Sequence, residues 1–166
     1  MPTRRFALAA VMALAAAPAF AQAQRTPPPM FSDADAAAVR TLIDRYFTAF
    51  SVKDYATFAQ VFTAPYLMAG REGLATIPTV EGVVERYKAI RVPLENADYS
   101  ASQVVEMRLT PLSGRMAMAN VHWRRLKKDG SLLNEGAEVL LTAKAGGQWK
   151  MTGVIPEDLR QFKAGG

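Results

Sequence analysis

Cysteine is absent from the 166 residues, and histidine occurs once, at His122. These absences exclude disulfide staples, thiol nucleophiles and the several Cys or His ligands on which zinc sites draw, so no metal and no cofactor is expected. A large charge surplus is lacking too. The formal net charge is +5, two units of it from Arg4 and Arg5, too mild for the electrostatic footprint of a nucleic-acid binder. The basic run Arg124, Arg125, Lys127 and Lys128 sits beside a predicted hairpin tip without interleaved aromatics and reads as a solvated turn. The apolar run from Phe6 to Ala17 is too short for a typical membrane span, and no other stretch approaches the needed length, so no membrane insertion is expected. No recognisable catalytic motif is present.

What the chain does hold begins with a leader. Residues 1–21 carry Arg4 and Arg5, the apolar run, and Ala19, Phe20 and Ala21 in an A-x-A arrangement, which together make a secretory signal. Cleavage is expected after Ala21, with Ala23 the near alternative, and the mature protein is expected to be exported, either periplasmic or secreted. The general secretory route fits better than the twin-arginine one, because Ala7 stands where the latter usually has phenylalanine. Residues 22–31, with Pro27, Pro28 and Pro29, read as an extended linker. One domain is expected over 32–160, with a flexible tail over 161–166.

Ser32, Asp33 and Asp35 make a helix N-cap with an acidic first turn. Val39, Leu42, Ile43, Tyr46, Phe47 and Phe50 then recur at three- and four-residue spacing, which predicts a helix over about 33–51. Asp54 caps a second, shorter helix with Tyr55, Phe58, Val61 and Phe62 on one face. Pro65 turns the chain into an extended segment over 66–69; Gly70 and Gly73 mark a turn, and 74–76 a return strand. Thr79 caps a third helix with Val83, Val84, Tyr87 and Ile90 facing inward and Pro93 near its end. Strands follow over 102–110, 115–127, 134–144 and 148–155. The second of these alternates Met116, Met118, Asn120, His122 and Arg124 with Ala117, Ala119, Val121, Trp123 and Arg125. Asp129 and Gly130 after it signal a hairpin. It reads as the central strand of its sheet. The fold class is α+β: a cone-like curved antiparallel sheet of about 4–6 strands packed against three N-terminal helices laid on one face.

This order resembles the nuclear transport factor 2-like superfamily, the cone-shaped barrel of ketosteroid isomerases, SnoaL-like polyketide cyclases and scytalone dehydratase. The residues that carry the resemblance span the whole mature domain. They are Arg45 to Phe50 with Lys53 and Asp54, Phe62 with Pro65 and Tyr66, Glu85 to Tyr87, the Ala-rich strand running to Asp129 and Gly130, and the closing Gly147 to Met151. Tyr46 resembles the helical tyrosine that donates to an oxyanion in ketosteroid isomerases. The resemblance places the isomerase aspartate base near Gly70 and the aspartate donor near Val139, where this chain has no carboxylate. Glu72 and Glu138 stand close by, and on the expected register Glu138 faces away from the interior. Isomerase chemistry of that kind is therefore not implied.

Three functions remain open. The first is binding of a small hydrophobic molecule in a barrel pocket lined by Tyr46, Tyr66, Met68, Met118, Asn120 and His122. The second is acid/base catalysis on a small hydrophobic substrate, with His122 and Tyr46 as the catalytic candidates. The third is a homodimeric interaction module pairing through an open sheet face that bears Ala117, Ala119, Val121 and Trp123, as relatives of this fold commonly pair. A homodimer is accordingly expected. Plainer readings stand beside these: His122 as a hydrogen-bonded strand residue, Tyr46 as core, and Met68, Met107, Met116, Met118 and Met151 as core filler. Trp149 is expected to anchor the last strand to the helices. Alternation alone leaves open which face of the 115–127 strand points inward.

Overall fold

The computed structural model describes residues 30–70 and 73–165. The leader expected over 1–21, and all of the linker except Met30 and Phe31, lie outside the described residues. Helix α1 (Asp33–Val52) starts with a capping box, in which the Ser32 hydroxyl accepts from the Asp35 N–H and the Asp35 carboxylate accepts from the Ser32 N–H. Asp35 also accepts from the Trp149 indole N–H at 3.0 Å and pairs with Lys144 at 2.6 Å. Lys144, Trp149 and Ser32 together hold its carboxyl far below the usual carboxylate range. Phe31 packs edge-on to the Trp149 ring. The expected anchoring role of Trp149 is thus observed, with the start of α1 as its target.

Helix α2 (Tyr55–Gln60) is capped by Asp54 and helix α3 (Val80–Glu95) by Thr79, with Pro93 inside the last turn of α3. Phe62, expected on the second helix, opens strand β1 (Phe62–Gly70) instead. The other strands are β2 (Gly73–Ile77), β3 (Tyr99–Ser113), β4 (Met116–Lys127), β5 (Leu132–Ala145) and β6 (Gln148–Glu157). They form one curved, unclosed six-stranded sheet in the order β2-β1-β6-β5-β4-β3. Two expectations are corrected by this order. The central pair is β6 and β5, with β4 one place from the edge. The sheet is also mixed, because β1 pairs with β6 in parallel while the other pairs are antiparallel. That parallel pairing joins segments separated by four strands and a helix, so no local signal announces it.

The inner face settles the ambiguity of β4. Ala117, Ala119 and Val121 are essentially inaccessible and belong to the same core as Leu140 and Met151. This is the face expected to be open for pairing with a second copy, and it is filled instead by the three N-terminal helices. Tyr46 lies at the centre of the filling, its ring centroid 5.4 Å from Phe58, 6.1 Å from Phe62 and 5.8 Å from Tyr87.

The outer face carries an element the pattern did not predict. Helix α4 (Leu159–Ala164) docks there through Phe162, which is 2% exposed, so residues 161–164 are helical where a flexible tail was expected. Arg108 holds it, donating to the Phe162 carbonyl at 2.9 Å with its guanidinium 4.2 Å from the ring centre. Six residues are too few for helical periodicity to show, which is why α4 is invisible in the sequence. Among the described residues no helix is long and apolar enough to cross a membrane.

Replacing Trp149 by Phe keeps the ring and removes the N–H that Asp35 accepts. Urea unfolding is expected to show a loss of about 2 kcal/mol, the scale of a hydrogen bond to a charged group.

Candidate functional site

Strand parity builds the site. Beyond an irregularity near the β4–β5 turn, Val121 pairs with Glu138 and Trp123 with Gly136; across β3 and β4, Ser102 pairs with Arg125 and Val104 with Trp123. Paired residues share a face, so Ser102, Trp123, Arg125 and Glu138 all turn toward the helices with Val121. Gly136 is required here: a Cβ on it would lie 2.7 Å from Cζ2 of Trp123, so only glycine lets the indole rest against β5. The Arg125 guanidinium lies 4.3 Å from the centre of the Trp123 ring.

These polar side chains close one side of a cavity of about 20 Å³ whose other walls are Tyr46, Phe47, Phe50, Tyr87 and Ile90. The space suits one water-sized group. Trp123 Nε1, Arg125 Nε and Glu138 Oε1 are buried and make no hydrogen bond to any protein atom. Buried polar atoms are nearly always paired, so three unpaired ones around one cavity mark it out. Burial pushes the Glu138 carboxyl up to about 7, against the downward pull of the Arg125 charge and the Trp123 N–H. Tyr46, Tyr66 and Tyr87 are all raised, foremost by burial, and therefore stay neutral. The Tyr66 and Tyr87 hydroxyls meet at 3.2 Å. Chemically, the cavity offers two fixed N–H donors and a carboxyl with both protonation states accessible near neutral pH.

The residues expected to line one pocket are distributed over three places. Tyr46 walls the cavity, and Tyr66 lies behind it, bonded to Tyr87. Met68 borders a separate hollow of about 600 Å³ with Ala75, Ile77 and Arg86. Asn120 and His122 sit on the outer face with Met118. Asn120 donates to Glu157 at 3.3 Å, and His122 Nε2 is 3.0 Å from Glu135, with its ring beside Phe162. The sheet itself therefore separates His122 from Tyr46, and the plainer reading of His122 describes its surroundings. Among the described residues no three His, Asp or Glu side chains are placed to hold a metal ion.

Glu138, Arg125 and Trp123 were not among the expected site residues. Glu138 was expected to face away, and Arg125 to belong to a solvated turn. The hairpin alone does not signal Glu138: Lys127 donates to the Ser131 carbonyl and Leu126 pairs with Leu132, so the register that pairs Val121 with Glu138 is reached only through the irregularity between Arg125 and Leu126.

Residues 34–159 match the family described as NTF2-like protein (DUF6841). The chain belongs to this NTF2-like family. No curated protein matches it. Similar solved structures include a Nostoc punctiforme protein of unknown function with a cystatin-like fold, 12% identical over 78% of this chain and 95% of that one, at a TM-score of 0.65. Aln2 from a Streptomyces species is 11% identical over 83% and 100%, at 0.64. A Catenulispora acidiphila protein in complex with S-DNPA is 14% identical over 80% and 99%, at 0.60. At such identities the likeness is one of fold, and the NTF2-like cone leaves the chemistry to the residues inside it.

The Glu138 titration gives a stability prediction. With a folded value of about 7 above the ordinary 4.5, the folded state keeps a proton that the unfolded chain releases. Stability therefore falls as pH rises from 4.5 to about 7, by on the order of 3 kcal/mol. Glu138→Gln removes this slope. Urea unfolding at about pH 5 and about pH 8 is expected to show the variant gaining on the wild type at the higher pH.

Proposed function

We propose that this NTF2-like domain is an exported binding protein for a small, largely apolar molecule whose single polar group seats among Trp123, Arg125 and Glu138. The observation that carries the reading is the set of three buried, unpaired polar atoms facing a cavity otherwise walled by aromatic and aliphatic side chains. An apolar lining with a few convergent polar groups is the usual make-up of a ligand site. Each unpaired atom costs roughly 1–3 kcal/mol, and a group that satisfies them recovers that energy. Ile90, Ser102, Trp123, Arg125 and Glu138 are only half-buried, so the cavity lies near the surface. A cavity of about 20 Å³ admits the polar group alone, leaving the apolar body at the half-buried rim beside Ile90. The S-DNPA complex of the Catenulispora protein supports the reading by analogy of fold. Export rests on the leader pattern of residues 1–21. Pairing of two copies is part of the proposal through the outer face, since the inner face is filled.

Native mass spectrometry of the protein purified from its exported fraction tests all three parts. The expected spectrum shows cleavage after Ala21 or Ala23, paired copies and a retained small molecule that Trp123→Ala loses. Bare protein whose melting temperature no apolar ring compound raises overturns the binding reading.

The position of Glu138 beside Tyr46 in the same cavity favours a second reading, acid/base turnover of such a molecule. On this reading the rate follows an apparent pKa near 7. Glu138→Gln then lowers it by roughly a hundredfold or more, while His122→Ala, on the far side of the sheet, leaves it unchanged.

A further inference from the structure

Resting on the binding reading above, we infer that the polar group this cavity accepts is a hydroxyl, carried by an alcohol or phenol. The inference follows from size and from the count of donors and acceptors. A space of about 20 Å³ holds one oxygen-sized group and no planar carboxylate or amide. Its unpaired atoms are Trp123 Nε1, Arg125 Nε and Glu138 Oε1. Indole and guanidinium nitrogens only donate, and an ionised carboxylate only accepts. With Glu138 ionised, the missing partner must therefore accept twice and donate once through a single atom. A hydroxyl oxygen does this, with two lone pairs and one O–H.

Other groups of similar size fail on one count each. A ketone oxygen accepts from both nitrogens but leaves Glu138 Oε1 unpaired. An ammonium satisfies Glu138 and opposes both donors, with the Arg125 charge adding repulsion. A methyl group satisfies none of the three. A water molecule has the same inventory as a hydroxyl, so water fills the place in the free protein and the ligand's hydroxyl displaces it. The Trp123 ring, held against Gly136 and stacked under Arg125, fixes the direction of its N–H, so the preference is built into the resting site.

The test uses the mature chain and three probes with one ring in common: phenol, toluene and acetophenone. Titrations run at about pH 8, where Glu138 is an acceptor, and are read by the ¹⁵N–¹H signal of the Trp123 indole and by melting temperature. The indole signal is assigned by its loss in Trp123→Phe. Phenol is expected to shift that signal and to bind at least about tenfold tighter than toluene and acetophenone, the scale of one unsatisfied buried group. Glu138→Leu, of similar bulk, is expected to erase the advantage of phenol while toluene binding persists, whereas Glu138→Gln, whose amide oxygen still accepts, is expected to keep part of it. If toluene or acetophenone binds as tightly as phenol, the hydroxyl inference falls and the binding reading stands. If no probe moves the Trp123 signal or the melting temperature, the cavity holds a structural water only, and both fall.

Discussion

The packing of the Tyr46 ring against Phe58, Phe62 and Tyr87 is the contact on which the cone depends. A curved sheet presents a concave face that must be filled, and rings fill it with few side chains. Here the rings come from α1, α2, β1 and α3, so a single cluster ties four elements together. Both ends of α1 are fixed around it. At the start, Asp35 is bonded to Trp149 and Lys144; at the end, Arg91 of α3 donates to the Phe50 and Ser51 carbonyls in the last turn of the helix. With the helix held at two points over a packed ring cluster, the interior closes down to a small space beside Phe47 and Phe50.

That space is polar because of where three strands place their inward positions. Ser102, Arg125 and Glu138 follow apolar inward residues on β3, β4 and β5 toward the same rim of the cone. A carboxyl and a guanidinium there would ordinarily form a bonded ion pair, yet no salt bridge joins Arg125 and Glu138, and each keeps a polar atom free. In a low-dielectric setting such atoms are costly to leave unpaired. The same burial that makes them costly brings Glu138 near neutrality and keeps the three tyrosines protonated. Both proposed readings, binding and proton transfer, draw on this one feature.

The outer face has a different character. His122 is bonded to Glu135, whose carboxyl His122 and Lys163 hold below its usual value, and Phe162 covers the imidazole. Asn120 is bonded to Glu157 and Arg108 to the α4 backbone. Here the polar groups are paired with one another, and they fasten a short helix to the sheet. The one histidine in the chain is thus hydrogen-bonded on the outer face, while the unpaired polar atoms gather around a glutamate on the opposite side.

The sequence by itself determined the local structure. Ser32, Asp54 and Thr79 cap helices because their side chains accept from backbone donors only at such positions, and the spacing of Val39 to Phe50 permits no other regular structure. The alternation from Met116 to Arg125, the Asp129 and Gly130 turn and the order of elements were enough to reach the α+β cone and its NTF2-like kinship. Only the tertiary structure decided which side of each strand is inside. A period of two defines two faces without naming the buried one, and β4 carries plausible site residues on both. The parallel pairing of β1 with β6 and the docking of α4 rest on contacts between segments far apart in the chain, which local pattern does not encode. Glu138 stands between these cases. The hairpin brings its strand beside β4, but its register opposite Val121 is set by the irregularity between Arg125 and Leu126, and its place among Tyr46, Trp123 and Arg125 follows only once the helices close over the sheet.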